Sequence, residues 1–499
     1  MRGRPMPATR ILGTVVLAAL SLLLGAAGQP DRTERWFEVR VGGRPAGWTC
    51  SLVERVPEGW RTESQTRLRL GRGGTMLDMT TGGWIVESED GRPISGGRTQ
   101  TGGGQAVRVT WIYGVDGVRE RTIDGARVNE RLWPPLAADV LPPHAAERAA
   151  ATLRGQGAAF EQTILEPTQG RLPQRIRVEP AGAATVKLPQ GERQATCWKL
   201  SGPMVPKGTR EWRDATDTLL RSLSPTGLGE IESVLSTEAQ AKATLERAVA
   251  APEIMVASFV RPDRPLTDPG RIRRMRLKLS AIEGSMEPVP SCGVQRAQEA
   301  ADGSVEVVVD LDAAPVEATE PERRDPDYLA ASPMIDAKDP RIVSLAQQAV
   351  ADADAGAVLE RLRAAAHRAL PRKNLSNALA SASEALRTGS GDCTEHAVLL
   401  AAMLRARGIP ARVVAGLVWC DAFAGERQVF GWHLWTQALV DGRWIDLDAT
   451  LPAGGPAFHA GHVALATTPL RDSASDPSWI TLLASLGNLK VQVLEGGVD

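Results

Sequence analysis

The spacing of apolar and polar positions changes period along this chain. From residue 36 to about residue 200 apolar and polar residues alternate, as in Arg67-Leu68-Arg69-Leu70, and the runs are broken at Gly42-Gly43, Gly73-Gly74, Gly82-Gly83, Asp90-Gly91, Asp116-Gly117 and Asp124-Gly125. Period two bounded by residues that accept positive φ predicts short antiparallel strands joined by tight turns. Pro142-Pro143 leads into a helix expected over about 145–153, the pattern turns mixed after Thr216, and a second helix is expected over about 236–249. Residues 275–279 and 305–309 alternate again, which predicts a small second β unit within 251–320. The stretch 313–339, rich in Pro, Glu, Asp and Arg, reads as a linker or an irregular wrap.

Beyond residue 339 the period becomes 3.6. Asp339 caps a helix with Pro340 at its first position, and Ile342, Leu345, Ala346, Ala349 and Val350 share one face. A second helix is predicted over about 356–370, burying Leu359, Leu362, Ala366 and Ala369. Ser381 and Glu384 have capping-box spacing ahead of a short helical turn that ends before Gly389. A third long helix runs from Cys393 to Arg407 with Cys393, Ala397, Leu400, Ala401 and Leu404 in one stripe, and Gly408 and Pro410 stop it. Residues 429–440 then alternate as a strand, Asp441-Gly442 is a two-residue hairpin turn, and 443–448 return. There is no internal repeat and no low-complexity tract.

Composition narrows the class. A chain of 499 residues exceeds one ordinary core, so several folded units are expected, and 43% apolar with 23% charged residues is a globular balance. A formal charge of -1 gives no basic excess of the kind that nucleic acid or an anionic membrane surface attracts. Arg2, Arg4 and Arg10, an apolar run over 11–24 and the small residues Gly25, Ala26, Ala27 and Gly28 have the layout of a secretory signal peptide over 1–28. The run is shorter than the ~20 residues a spanning helix needs, although an uncleaved anchor is the alternative. No later segment is apolar enough to span, so a periplasmic or secreted protein is expected. The five cysteines, Cys50, Cys197, Cys292, Cys393 and Cys420, leave one unpaired in an oxidising compartment. Cys393 is the candidate free thiol; the other four would form up to two bridges, or stay inert and buried.

Cys393 matters because of where it falls. At a helix N-terminus unpaired amide N–H groups and the positive dipole end favour a thiolate. Across the predicted hairpin, Val440 opposes Arg443, so Trp435 faces Asp448, His433 faces Thr450, and His433, Trp435, Asp446 and Asp448 share a face. His433 and Asp448 are diagonal neighbours, and Asp448 fits as the carboxylate that orients the imidazole better than Asp446 does. A thiol, a base and an orienting carboxylate are what Cys nucleophilic catalysis requires. His396 raises a metal alternative with His433 and Asp448, but no second paired ligand spacing supports it. His459 and His462 follow Pro456 in a Gly-rich segment and read as a solvated loop. Trp432 and Trp435 either line a groove or cover a core.

These residues resemble the transglutaminase-like superfamily over roughly 330–470. The matching words are Gly391-Asp392-Cys393-Thr394-Glu395-His396-Ala397, Arg405 to Arg412, His433-Leu434-Trp435, Trp444, and Asp448-Ala449-Thr450. The resemblance implies a papain-like triad with Cys393 as nucleophile, His433 as base and acid, and Asp448 as orienting carboxylate, attacking an amide carbonyl to form an acyl-enzyme. Gln437 stands where the family often has Glu, and Ala449 replaces the usual Pro, which is expected to loosen the backbone beside Asp448. The family's animal enzymes use calcium, yet no acidic loop of that ligand spacing is present, so neither a metal nor a cofactor is expected. The whole reads as a multidomain α+β protein: signal peptide 1–28, an antiparallel β-rich domain 31–250, a small β domain 251–320, a catalytic domain 330–470 and an extension 471–499. The expected activity is amide or peptide-bond hydrolysis on exported proteins or cell-wall peptides. Glutamine acyl transfer and a non-catalytic binding or assembly role are the alternatives.

Overall fold

The computed structural model describes residues 31–496 apart from 73–74, 103–106, 125–126, 204, 227–228, 249–253, 267–271, 283–285, 353, 374–379 and 472–486. The expected signal peptide, the turn at Gly73-Gly74 and Gly125 of another turn lie outside the described residues. The chain divides into two compact units, one built from 31–71 and 76–254 and the other from Met255 onward.

In the first unit, fifteen strands among the described residues form one sheet. Eight of them, from Arg32–Val41 to Arg127–Trp133, lie in chain order outward from the middle. The other seven return from the opposite edge, and the last, Gly229–Ser236, pairs antiparallel with the first. A short parallel pairing joins Val140–Leu141 to Phe160–Ile164. The strands are longer than the glycine pattern predicts. Gly82 and Gly83, read as a turn, sit inside the strand Thr75–Glu87, and a Cβ on Gly83 would lie 2.2 Å from the Pro167 carbonyl oxygen. A glycine that admits a neighbouring backbone looks in sequence like one that makes a turn. The mixed stretch after Thr216 also belongs to the sheet, as strands Leu219–Thr226 and Gly229–Ser236. Helices form at Pro143–Gly155 and Glu238–Arg247, the second capped by Thr237, whose side chain accepts from the Gln240 N–H.

The second unit carries helices α1 (Pro340–Ala349), α2 (Val358–Ala369), α3 (Ala382–Thr388) and α4 (Cys393–Ala406), followed by strands β1 (Ala411–Phe423), β2 (Glu426–Val440), β3 (Arg443–Leu447) and β4 (His462–Thr468) in the order β3-β2-β1-β4. Every residue of α4 from Thr394 to Arg405 is buried, because a helix apolar on all sides must be surrounded. The sheet covers it on one side and α1, α2 and α3 on the other. The hairpin has the expected register, with Val440 opposite Arg443 and positive φ at Asp441 and Gly442. A second four-stranded sheet joins Gln295–Glu299, Val305–Asp310, Arg274–Ala281 and Leu489–Gly496 in that order. Its inward residues Met275, Leu277, Leu279, Val307, Val309, Val491 and Val493 belong to one apolar core with α4 and β1. The segments expected as a separate β domain and a C-terminal extension are therefore built into the second unit. Four strands with one apolar face have nowhere else to bury it. The stretch 313–339 is a wrap: the Ala318 N–H donates to the Gly442 carbonyl at 2.8 Å, and Tyr328 packs edge-on against Trp444. No helix among the described residues is long and apolar enough to cross a membrane.

Candidate active site

Three local devices bring the candidate residues together. Cys393 is the first residue of α4, capped by Asp392. The hairpin presents His433 from β2, and Asp448 follows the end of β3 directly. His433 Nε2 lies 2.8 Å from Asp448 Oδ2, and Cys393 is near enough to act electrostatically on the same imidazole. Since Nε2 is taken by the carboxylate, Nδ1 is the nitrogen left for sulfur. Asp446, the rejected alternative, instead accepts from the Trp435 indole at 2.9 Å and from Gln437 Nε2 at 2.7 Å.

Asp448 is a saturated acceptor. Oδ1 receives the Thr450 N–H at 2.8 Å and its hydroxyl at 2.7 Å, and Oδ2 faces His433 and, at 3.1 Å, His462 Nε2. Burial alone would push this carboxyl up, but the two imidazoles hold it well below the usual carboxylate range. The mirror effect acts on His433: burial would lower it, and Asp448 together with Cys393 raises it to about 10. The imidazolium and its carboxylate are thus the favoured pair in a site only 8% and 1% exposed.

The thiol does not have the helix terminus to itself. The Thr394 and Glu395 N–H groups are spent on the Asp392 carboxylate, and Glu395 reaches back to the Asp392 N–H in a complete capping box. An anionic cap opposes the field that the helix end offers an anion, which leaves His433 as the group beside Cys393 that can carry a compensating positive charge. Burial, then Asp392, pushes Glu395 above the usual carboxyl range. All five cysteines are free thiols, none bridged. Burial pushes Cys50 and Cys292 up to about 12 and Cys420 to about 11, which leaves them inert near neutral pH.

Several residues take places that the sequence reading did not give them. His462 is the first residue of β4, not part of a solvated loop; it is 1% exposed and stacks on Phe458 at 4.3 Å. His459 is likewise drawn in, and burial lowers it to about 3. The signal for His462 was present in the alternating apolar run that follows it, His462-Val463-Ala464-Leu465-Ala466. His396 leaves the site: Nδ1 donates to the Asp392 carbonyl, Nε2 accepts from Lys373, and burial lowers it to about 4. One ligand atom each from His433, Asp448 and His462 lies within 4.8 Å of the others, a spacing that a cation could bridge. The two N···O separations are already hydrogen-bond lengths, so shared protons account for the cluster without an ion. Trp435 is core at 1% exposure, whereas Trp432 is partly exposed and donates to the Ser258 carbonyl at 2.7 Å.

The backbone beside Asp448 is pinned rather than loosened by Ala449. Arg363, fully buried on α2, donates to the carbonyls of Asp448, Leu451 and Pro452, and His367 Nδ1 bonds the Ala449 carbonyl at 2.9 Å. Gln437 accepts from Arg412 Nε at 2.8 Å through its oxygen and donates to Asp446 through its nitrogen. A Glu at that position would set one carboxylate against another. Gly416, opposite His433 on β1, lets β4 approach: a Cβ there would fall 1.9 Å from the Val463 carbonyl oxygen.

Residues 344–449 match the family model of the transglutaminase-like superfamily. The second unit therefore carries a transglutaminase-like domain. No curated protein matches the chain. Among solved structures, a candidate cysteine protease from Cytophaga hutchinsonii is 15% identical, with 46% of this chain and 90% of that one covered at a TM-score of 0.28. A beta-barrel-like protein of a domain of unknown function from Brucella abortus is 9% identical, covering 41% and 95% at a TM-score of 0.31. A candidate protease from Parabacteroides distasonis is 12% identical, covering 81% and 68% at 0.18. At such TM-scores these likenesses carry no weight, and function is read from the family match and the site.

Proposed function

We propose that this chain is an exported thiol enzyme that cleaves amide or peptide bonds through an acyl-enzyme on Cys393. The observation that carries the reading is a buried His433 bonded to a carboxylate with four donors, with the helix-start thiol of Cys393 beside the imidazole. In the first step the Cys393 sulfur attacks the carbonyl carbon, the C–N bond breaks, and His433 passes its Nδ1 proton to the departing amine. Water then attacks the thioester while the neutral imidazole takes its proton, releasing the acid and restoring the ion pair. Asp448 stays ionised throughout and keeps the ring turned so that Nδ1 faces sulfur. The Cys393 backbone N–H is the first donor to the oxyanion. A primary amine in place of water would make the same site an acyltransferase.

Export rests on the charged, apolar and small-residue order of residues 1–28, and protein or cell-wall peptide is the substrate class. The test compares wild type and Cys393→Ala on Gln-containing peptides, with and without a primary amine, alongside iodoacetamide labelling near neutral pH. We expect rapid labelling of Cys393 alone and loss of turnover by a factor on the order of 10^3 or more in the alanine variant, with the melting temperature little changed. Labelling no faster than that of an ordinary exposed thiol would instead mark a binding or assembly protein that keeps the fold.

A further inference from the structure

We propose that His462 is a positioning residue of the thiol site: its imidazole holds the same Asp448 oxygen that orients His433, and so sets how firmly that carboxylate grips the base. The inference rests on Cys393 and His433 working as proposed above. His462 lies between two acceptors, with Nδ1 2.9 Å from the His459 carbonyl and Nε2 3.1 Å from Asp448 Oδ2. Neither a carbonyl nor an ionised carboxylate has a hydrogen to give, so each contact is a bond only when the ring nitrogen facing it carries one. The ring then brings a second imidazole donor to Asp448 beside His433, whose ring centroid is 5.5 Å away.

Two consequences follow. Oδ2 cannot rotate toward another partner while two ring nitrogens hold it, which keeps His433 aimed. The charge of the carboxylate is also divided between two imidazoles, so His433 surrenders its proton to a leaving group more readily than it would to an undivided anion. The placement is built, not incidental. Gly416 admits β4 to the sheet beside His433, and Phe458 and Trp435 pack the His462 ring, with Trp435 edge-on at 5.2 Å. The charged or titratable groups that bear on this cluster are Cys393 and His396 on α4, Asp446 on β3, His459 in the preceding loop, and Lys373 in the segment that follows α2.

Two side chains divide the contacts of His462. His462→Asn keeps a nitrogen near the His459 carbonyl and is too short to reach Asp448; His462→Gln places a donor near Asp448 without a ring. The readout is the rate of Cys393 alkylation by iodoacetamide from pH 5 to 11, which needs no identified substrate, together with the melting temperature. We expect the Asn variant to lose roughly tenfold in the plateau rate, the scale on which second partners act at metal-bound histidines. Its alkaline limb should move to higher pH, because Asp448 then acts on His433 alone, and Gln should recover most of the plateau. Equal plateaus and limbs in wild type, Asn and Gln, with only the melting temperature lowered, would reduce His462 to a packing residue while the nucleophile reading stood. A wild type whose Cys393 alkylates like a free thiol would overturn both.

Discussion

Glu211 in the N-terminal unit and Asp448 in the C-terminal unit are both buried carboxylates, 3% and 1% exposed, and their proton affinities are shifted in opposite directions. Burial raises Glu211 to about 7, and Arg213 and Arg154 recover only part of that cost while Glu147 adds to it. The difference lies in donors. Arg213 serves Oε2 of Glu211 and also bonds Glu147, and Glu211 Oε1 has no hydrogen-bond partner. Both oxygens of Asp448 are filled by four donors from His433, His462 and Thr450. One unit thus buries charge as a closed knot of arginines and carboxylates. The other buries it as an open series whose last member, Cys393, is partly exposed. Burial of charge alone does not mark a reactive site; a fully bonded anion that ends on a nucleophile does.

The comparison breaks most visibly at its ionised end. Asp448→Asn keeps the shape and removes the charge, and it offers a hydrogen where His433 Nε2–H needs an acceptor. We expect turnover to fall on the order of 10^3 to 10^4-fold, with the neutral-pH alkylation of Cys393 slowed and the fold retained. An Asn variant that alkylates at the wild-type rate near neutrality would mean that His433 holds the thiolate without its carboxylate.

The closed knot should answer differently. Arg213→Met leaves Glu211 and Glu147 buried without their shared cation, and breaking such a pair costs about 3–5 kcal/mol, or about 10 °C in a unit of this size. Cys393 alkylation in molecules that remain folded should be unchanged. A fall in alkylation rate that parallels the lost stability would show that the knot supports the thiol site and that the two kinds of buried charge are not separate.

What the sequence revealed follows the range of each interaction. The helix start at Cys393, the turn at Asp441-Gly442 and the in-phase His433 and Asp448 are local patterns, and turn chemistry fixes their register. His462 reads as loop because glycines and Pro456 precede it, while what buries it is the close approach of β4 that Gly416, 46 residues earlier, permits. Arg363 was invisible for the same reason: an arginine on the buried face of α2 is meaningful only once the carbonyls of Asp448, Leu451 and Pro452 turn toward it. The strand Leu489–Gly496 closes the small sheet from the far end of the chain, a pairing that no local pattern reports. In the N-terminal unit, Gly82-Gly83 shows the converse error, a local turn signal overridden by a long-range approach.

The smallest effect tests the sign of the comparison. Because the folded-state value of Glu211 is raised from an ordinary ~4.3 to about 7, the folded chain binds this proton more tightly than the unfolded one. Its contribution is fully present below the unfolded value and is lost as pH rises through about 7, so stability declines with pH across that window. Glu211→Gln removes the titration. Its melting temperature should exceed that of wild type by a margin that widens as pH rises from 5 to 8. Asp448 has the opposite sign, since a depressed carboxyl contributes above its unfolded value and loses that contribution as pH falls. Melting curves of wild type and the Gln variant that run parallel from pH 5 to 8 would mean that Glu211 is ionised throughout. The contrast between an under-bonded and a fully bonded buried carboxylate would then have to be sought in geometry alone.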